Sequence, residues 1–347
     1  MEASSQRFSE LSLEEIQGLI NQFERANVPE LALTGGEPFM RQDLKEIIET
    51  LTKKKIGLAQ IFTNATIVSD SVLDSIKQFG HRPFFAISFD GCHTHDYMRG
   101  VQGIEAKTIE GIKKVKTWGF PVTIITSVDM ITRNSLIETY ELMKELAVDG
   151  WWLAPPLEVG HWRDASTTIS LDEMVELCTQ LLQRWLADKR PFDLKIWRFG
   201  LFKMKEDGIT DDGRNLTQPI TPDSWNCNGT HNRPCLLHDG TLIPCSAYTG
   251  TNLLGEMPNL LQKSLSELWT DSTLRHICDL RKSDVIAYSG SCAKCEFFGE
   301  CGAGCRIVAL IKTGDLLAKD PIACSFFRAG YVQRFRDIVK AGRLQKS

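Results

Sequence analysis

Long apolar runs are missing from this sequence: nothing reaches the roughly 18 consecutive apolar residues that a bilayer-crossing helix takes. A basic block is missing too. Forty Lys and Arg against 44 Asp and Glu leave a net charge of −4, which gives no reason to expect a nucleic-acid partner. The opening MEASSQRFSE is polar and lacks the apolar core of a signal peptide. There is no internal repeat and no low-complexity tract. These absences point to a soluble, cytoplasmic chain with neither membrane nor nucleic acid as partner. Its 347 residues suggest about two domains, each able to bury a core.

Cysteine, by contrast, is plentiful. A reducing cytosol disfavours structural disulfides, so eleven cysteines there read as metal ligands or redox groups. Eight of them form a C-terminal set: Cys227, Cys235, Cys245, Cys292, Cys295, Cys301, Cys305 and Cys324. Cys178 and Cys278 sit in apolar helical stripes and read as buried structural thiols.

The first half alternates two periodicities. Ser12 and Glu15 form a capping box ahead of Ile16, Leu19, Ile20 and Phe23 at helical spacing. Helices are expected at 43–54, 69–79, 104–118 and 135–147. Between them lie the strand patterns ELALT, GLAQIFT, FFAISFDG, VTIITSV and GWWLAP. Strands alternating with helices mean a parallel sheet or barrel with crossover helices, whose chemistry gathers at the C-terminal strand ends. Ser170 and Glu173 cap another helix with an apolar stripe. Residues 205–224, rich in Gly, Pro, Asp and Thr, are the expected linker between a first domain (1–204) and a second (225–347).

In the second domain Cys292-x2-Cys295 sets two thiols on one tight turn, with Cys301 and Cys305 following and glycines between to allow sharp bends. Upstream, HDGT reads as a hairpin turn between Cys235 and Cys245. Eight thiolates fill two four-sulfur sites without remainder. Zinc ribbons and iron–sulfur clusters both use CxxC units. Against zinc, the second CxxC of a ribbon is missing, since the upstream spacings are seven and nine residues.

The order Cys227-x12-Gly240-x4-Cys245, then Cys292-x2-Cys295-x5-Cys301-x3-Cys305, then Cys324 resembles the seven-cysteine pattern of the SPASM domain. That domain is the C-terminal extension of many radical S-adenosylmethionine (SAM) enzymes, and the resemblance covers nearly the whole chain. It implies a partial (β/α)6 TIM-like barrel lacking its first strand, joined to a small cysteine-rich domain. It also implies two auxiliary [4Fe–4S] clusters. One would be held by Cys292, Cys295, Cys301 and Cys324. The other would be held by Cys227, Cys245 and Cys305, with Cys235 as fourth ligand, although the family pattern does not specify that residue.

The same resemblance gives the first half a SAM pocket. Gly35, Gly36, Glu37 and Pro38 resemble the motif that holds the methionine amino group: a strand end without Cβ atoms beside a carboxylate. Thr63 and Asn64 resemble a family strand end TNG, with Ala65 in place of glycine. Ser88 and Asp90 look like the strand end that reaches the ribose or carboxylate of SAM, and HDYMRG (95–100) resembles the segment that follows. Ser127 and Leu153 end the next two strands, the latter where the family passes backbone along the adenine. Cys92 could line the pocket.

The likeness stops at the CxxxCxxC loop, which occurs nowhere in the sequence. Without those three thiolates the radical SAM cluster has no site, so that cofactor is expected only if a missing N-terminus is restored. Either the start lies at an internal methionine and in-frame codons upstream of Met1 encode the motif, which is the expectation favoured here, or the lineage has discarded that cluster. The family's activity is reductive cleavage of SAM to a 5′-deoxyadenosyl radical, fed by reduced flavodoxin or ferredoxin, and hydrogen abstraction from a substrate. Peptide or protein side chains are the expected substrate class, a small molecule the other possibility. Ser246 stands where sulfatase-maturing members carry Asp, which argues against that activity. Glu158, His161, Arg163 and Tyr248 are further candidate substrate contacts. A non-catalytic iron–sulfur electron-transfer partner and a structural zinc protein are the rival readings.

Overall fold

The computed structural model describes residues 10–156, 167–196, 200–202, 209–210 and 220–344. Two compact units emerge. The first comprises residues 1–155, 190–197 and 203–205, the second 156–189, 198–202 and 206–347.

Apart from short 3-10 turns, the first unit runs α1 (Leu13–Arg25), β1 (Glu30–Leu33), α2 (Leu44–Lys53), β2 (Gly57–Thr63), α3 (Asp70–Gln78), β3 (Phe84–Ser88), α4 (His95–Arg99), α5 (Ile104–Thr117), β4 (Val122–Ser127), α6 (Leu136–Glu145), β5 (Gly150–Ala154) and β6 (Asp193–Ile196). Each strand pairs in parallel with the next, so spatial order follows chain order from β1 to β6. That is the winding of a barrel wall, without the order reversal of a doubly wound sheet. It agrees with a partial (β/α)6 architecture. Strand β6, not anticipated from sequence, is four residues with little periodicity of its own. Its pairing with β5 and Lys195 lying 4.8 Å over the Trp152 ring fix it in place.

The helices form where an apolar stripe meets a capping signal. The Ser12–Glu15 box opens α1 in both directions. In α2, Leu44, Ile47, Ile48 and Leu51 recur at i, i+3, i+4 and i+7, and all are buried. Strand β4 alternates buried Val122, Ile124 and Thr126 with half-buried Thr123, Ile125 and Ser127. On this strand one face is therefore sealed while the other retains access.

In the second unit the helix Leu171–Ala187 carries its Ser170–Glu173 capping box. It is tied to the helix Tyr331–Leu344 by Arg334 to Glu176 at 2.6 Å and by the Tyr331 hydroxyl to Asp172. The HDGT hairpin pairs Cys235–Leu236 with Leu242–Ile243. A core of Ile243, Tyr248, Met257, Ile277 and Ile307 underlies it. Of the expected linker only 209–210 and 220–224 are described, and Ile209–Thr210 pairs antiparallel with Gly200–Phe202. Glu158, His161 and Arg163 lie outside the described residues. Among the described residues no helix is long and apolar enough to cross a membrane.

Candidate functional site

At the end of β1 the backbone turns through Gly35 with φ +128°, a conformation side chains resist. A Cβ at Gly35 or Gly36 would meet nothing within 4 Å, so the space beside them is open. Glu37 follows. Its Oε1 accepts from the Thr63 hydroxyl at 2.7 Å and the Phe39 N–H at 3.3 Å, and its Oε2 from the Asn64 N–H at 2.7 Å. Three neutral donors thus aim the carboxylate, and among the described residues no cation offsets its charge. An incoming ammonium group would find a preoriented anion next to unshielded backbone.

Asn64 in turn accepts from the Thr66 backbone and hydroxyl through Oδ1. Ala65, where the family has glycine, adopts φ +60°. Its carbonyl lies against Gly111 of α5 so closely that a Cβ there would come within 1.9 Å.

Asp90 is only 3% exposed. Its carboxylate accepts from Arg99 at 2.8 Å and from the Ser127 N–H at 3.3 Å. Its own N–H lies 3.0 Å from His95 Nδ1, and the other ring nitrogen, Nε2, faces Thr108 Oγ1 at 3.3 Å. Burial opposes ionisation of Asp90, but the contacts with His95, Arg99 and Ser127 hold its carboxyl below the usual range. The HDYMRG segment thus places His95 and Arg99 one helical turn apart, both on Asp90, which braces the end of β3 against that of β4. Sequence spacing alone had not revealed that pairing. Ser88 and Ser127 are half-buried at their strand ends, and the Leu153 side chain is buried. Cys92 is buried with its N–H on Thr139 Oγ1, and burial raises its thiol.

The second unit gathers thiols. Burial pushes the Cys245 thiol up to about 12, and the charges of Cys305, Cys227 and Cys235 add to that effect. Each of those three therefore lies within electrostatic reach of Cys245, their partner in the grouping implied for one auxiliary cluster. In the other set, the Cys295 N–H donates to the Cys292 carbonyl at 3.2 Å, closing the CxxC turn. Asp320 links the two sets: it accepts the Cys305 N–H at 2.9 Å, caps the helix Pro321–Arg328, and its carbonyl takes the Cys324 N–H at 3.0 Å. Among the described residues no three His, Cys, Asp or Glu side chains converge tightly enough to grip a single ion. This soft, all-sulfur donor set fits a multi-iron cluster, whose corners stand apart.

Two buried cations accompany the thiols. Lys282, 5% exposed, donates to the Asn226 carbonyl at 2.8 Å and to the Gly302 carbonyl, joining the residue before Cys227 to the one after Cys301. Arg306, 4% exposed, donates to the carbonyls of Ala303, Leu316 and Ala318 and feels the charges of Cys305, Cys292 and Cys301. Buried positive charge beside thiols favours their ionised form. Tyr248, a candidate substrate contact, is fully buried in the core beneath the hairpin. Burial first, then the charges of Cys245 and Cys305, raise its phenol well above the usual range. Cys178 and Cys278 are buried, as their stripes predict, with the Cys278 thiol pushed up to about 12.

Residues 3–143 match the family model for the radical SAM superfamily. The chain is 27% identical over 338 residues to an AdoMet-dependent heme synthase of Nitratidesulfovibrio vulgaris, covering 91% of this chain and 84% of that protein. It is 23% identical over 329 residues to an Fe-coproporphyrin III synthase of Methanosarcina barkeri, covering 91% and 80%. Among solved structures, native anSMEcpe with bound AdoMet and Kp18Cys peptide superposes with a TM-score of 0.70 at 17% identity, covering 96% of this chain and 91% of that one.

Proposed function

We propose, from the match of residues 3–143 to the radical SAM superfamily model, that the chain binds SAM at the C-terminal ends of β1 to β4 and serves radical chemistry on a heme-type tetrapyrrole. The observation that carries the SAM reading is the Glu37 carboxylate, aimed by Thr63, Asn64 and Phe39 beside two glycines. The tetrapyrrole reading is supported by relatives matched along nine-tenths of the chain that are named for heme and Fe-coproporphyrin III. It replaces the expected peptide substrate, whose support is a fold likeness at 17% identity.

SAM with a reduced iron–sulfur cluster supplies hydrogen abstraction from an unactivated carbon. The chain's own part is to bind and orient. Glu37 accepts from the ammonium of SAM, Gly35 and Gly36 let backbone carbonyls approach it, and the braced Asp90 keeps the neighbouring strand ends fixed. Cys227, Cys235, Cys245 and Cys305 would hold one auxiliary cluster, and Cys292, Cys295, Cys301 and Cys324 another. The three-thiolate loop for the SAM-cleaving cluster is not within these 347 residues, so turnover belongs to a chain that includes it and binding is the property to test here.

Calorimetry with SAM on wild type and Glu37→Gln, and absorbance titration with Fe-coproporphyrin III, test the reading. SAM binding that weakens in Glu37→Gln and a saturable Soret shift are expected. Absence of SAM binding overturns the cofactor site. Binding of a thiol-containing peptide but not of the porphyrin overturns the substrate.

A further inference from the structure

Tyr248 is fully buried, yet its hydroxyl has no hydrogen-bond partner among the described residues. Leaving a phenol in an apolar core without an acceptor is costly, and phenylalanine would fill the same space without that cost. The ring packs in the core of Ile243, Met257, Ile277 and Ile307, and Cys235 and Cys245 pack against that same core. Its backbone N–H donates to the Cys245 carbonyl at 3.0 Å, one tight turn after that thiol. An orphaned donor therefore sits in a core against which two soft sulfur acceptors, Cys235 and Cys245, also pack.

We propose that the Tyr248 hydroxyl donates a hydrogen bond to a sulfur of the iron–sulfur cluster held by Cys227, Cys235, Cys245 and Cys305, and so raises the reduction potential of that cluster. This rests on the reading of those four cysteines as cluster ligands. A donor aimed at sulfur favours the more negative, reduced state, which is one of the protein's levers on such centres. Lys282 and Arg306 act in the same direction through charge. Tyr248 would act at contact range, as a positioning residue without direct ligation.

The test uses the full chain, reconstituted anaerobically with iron and sulfide, as wild type and Tyr248→Phe. Iron and sulfide analysis comes first, then a redox titration followed by electron paramagnetic resonance. Equal iron is expected, with one midpoint lowered and the other unmoved. A tenfold change in the reduction equilibrium corresponds to about 59 mV for a one-electron couple, and a shift approaching that size is expected. Two unchanged midpoints at full iron loading overturn the inference while leaving the ligand reading intact. A wild type that retains no iron, or a Cys245→Ser variant that loses none, overturns the ligand reading and the inference with it. Should Tyr248→Phe fail to load, wild type in deuterated buffer decides: a deuteron coupled to the reduced cluster supports the hydrogen bond, and its absence overturns it.

Discussion

The Thr63 hydroxyl donates to Glu37 Oε1 at 2.7 Å, binding the end of β2 to the turn after β1. Glu37→Gln keeps the size of the side chain but removes the charge an ammonium would meet. Hydrogen bonds to charged groups contribute about 1.5–3 kcal/mol, so SAM affinity should fall roughly tenfold to a hundredfold. Thr63→Val keeps the charge but frees its orientation, and should weaken binding less, by about 1 kcal/mol. Calorimetry orders the two; equal affinities for all three proteins would remove Glu37 from the site.

Gly111 of α5 lies against the Ala65 carbonyl, with 1.9 Å between that oxygen and a Cβ placed on the glycine. Helix and strand end cannot both keep their positions if a methyl is added. Gly111→Ala should cost about 1–3 kcal/mol by overpacking and should displace Asn64, whose carbonyl also receives the Thr108 hydroxyl. Chemical denaturation measures the first effect. A parallel loss of SAM affinity would register the second.

Much of the first unit was legible from residues alone, because each helix carries its own stripe and each strand is bounded by a turn. The helices expected at 43–54 and 69–79 run Leu44–Lys53 and Asp70–Gln78. What stayed hidden depends on partners far along the chain. Lys282, between Arg281 and Ser283, belongs to no sequence motif, and its bonds to Asn226 and Gly302 lie far along the chain. Tyr248, in a run of Ser, Ala and Thr, reads as a loop residue until the hairpin folds over it. Asp320 caps the helix Pro321–Arg328. Its hold on Cys305, fifteen residues earlier, follows from the fold of the cysteine loop. Strand β6 has too few residues to show a period and is defined by its neighbour.

His81 accepts the Leu58 N–H through Nδ1 at 3.2 Å, so the fold holds the ring neutral, and burial lowers its pKa. The unfolded chain then binds the extra proton first as pH falls. Stability is fully present above the unfolded value near 6.5 and declines as pH drops from there toward the lowered folded value. Below that value this contribution stops changing. In His81→Asn the slope in this window should flatten. Urea denaturation at pH 7.5, 6.5 and 5.5 measures it, and an unchanged slope would show that other groups set the acid sensitivity.

The two cysteine sets predict separable losses. With four irons per four-thiolate cluster, the anaerobically prepared chain should hold about eight. Cys245→Ser should remove about four of them, because its thiol is the one whose ionisation Cys305, Cys227 and Cys235 all influence. Cys295→Ser should remove the other four, because that turn closes on Cys292. Combined, the two substitutions should leave almost none, since each set is a complete donor shell. If either single variant lost all the iron, the sets would form one interdependent centre through Asp320, which contacts Cys305 and the helix bearing Cys324. About two zinc ions and no visible absorbance would instead return the thiols to a structural role.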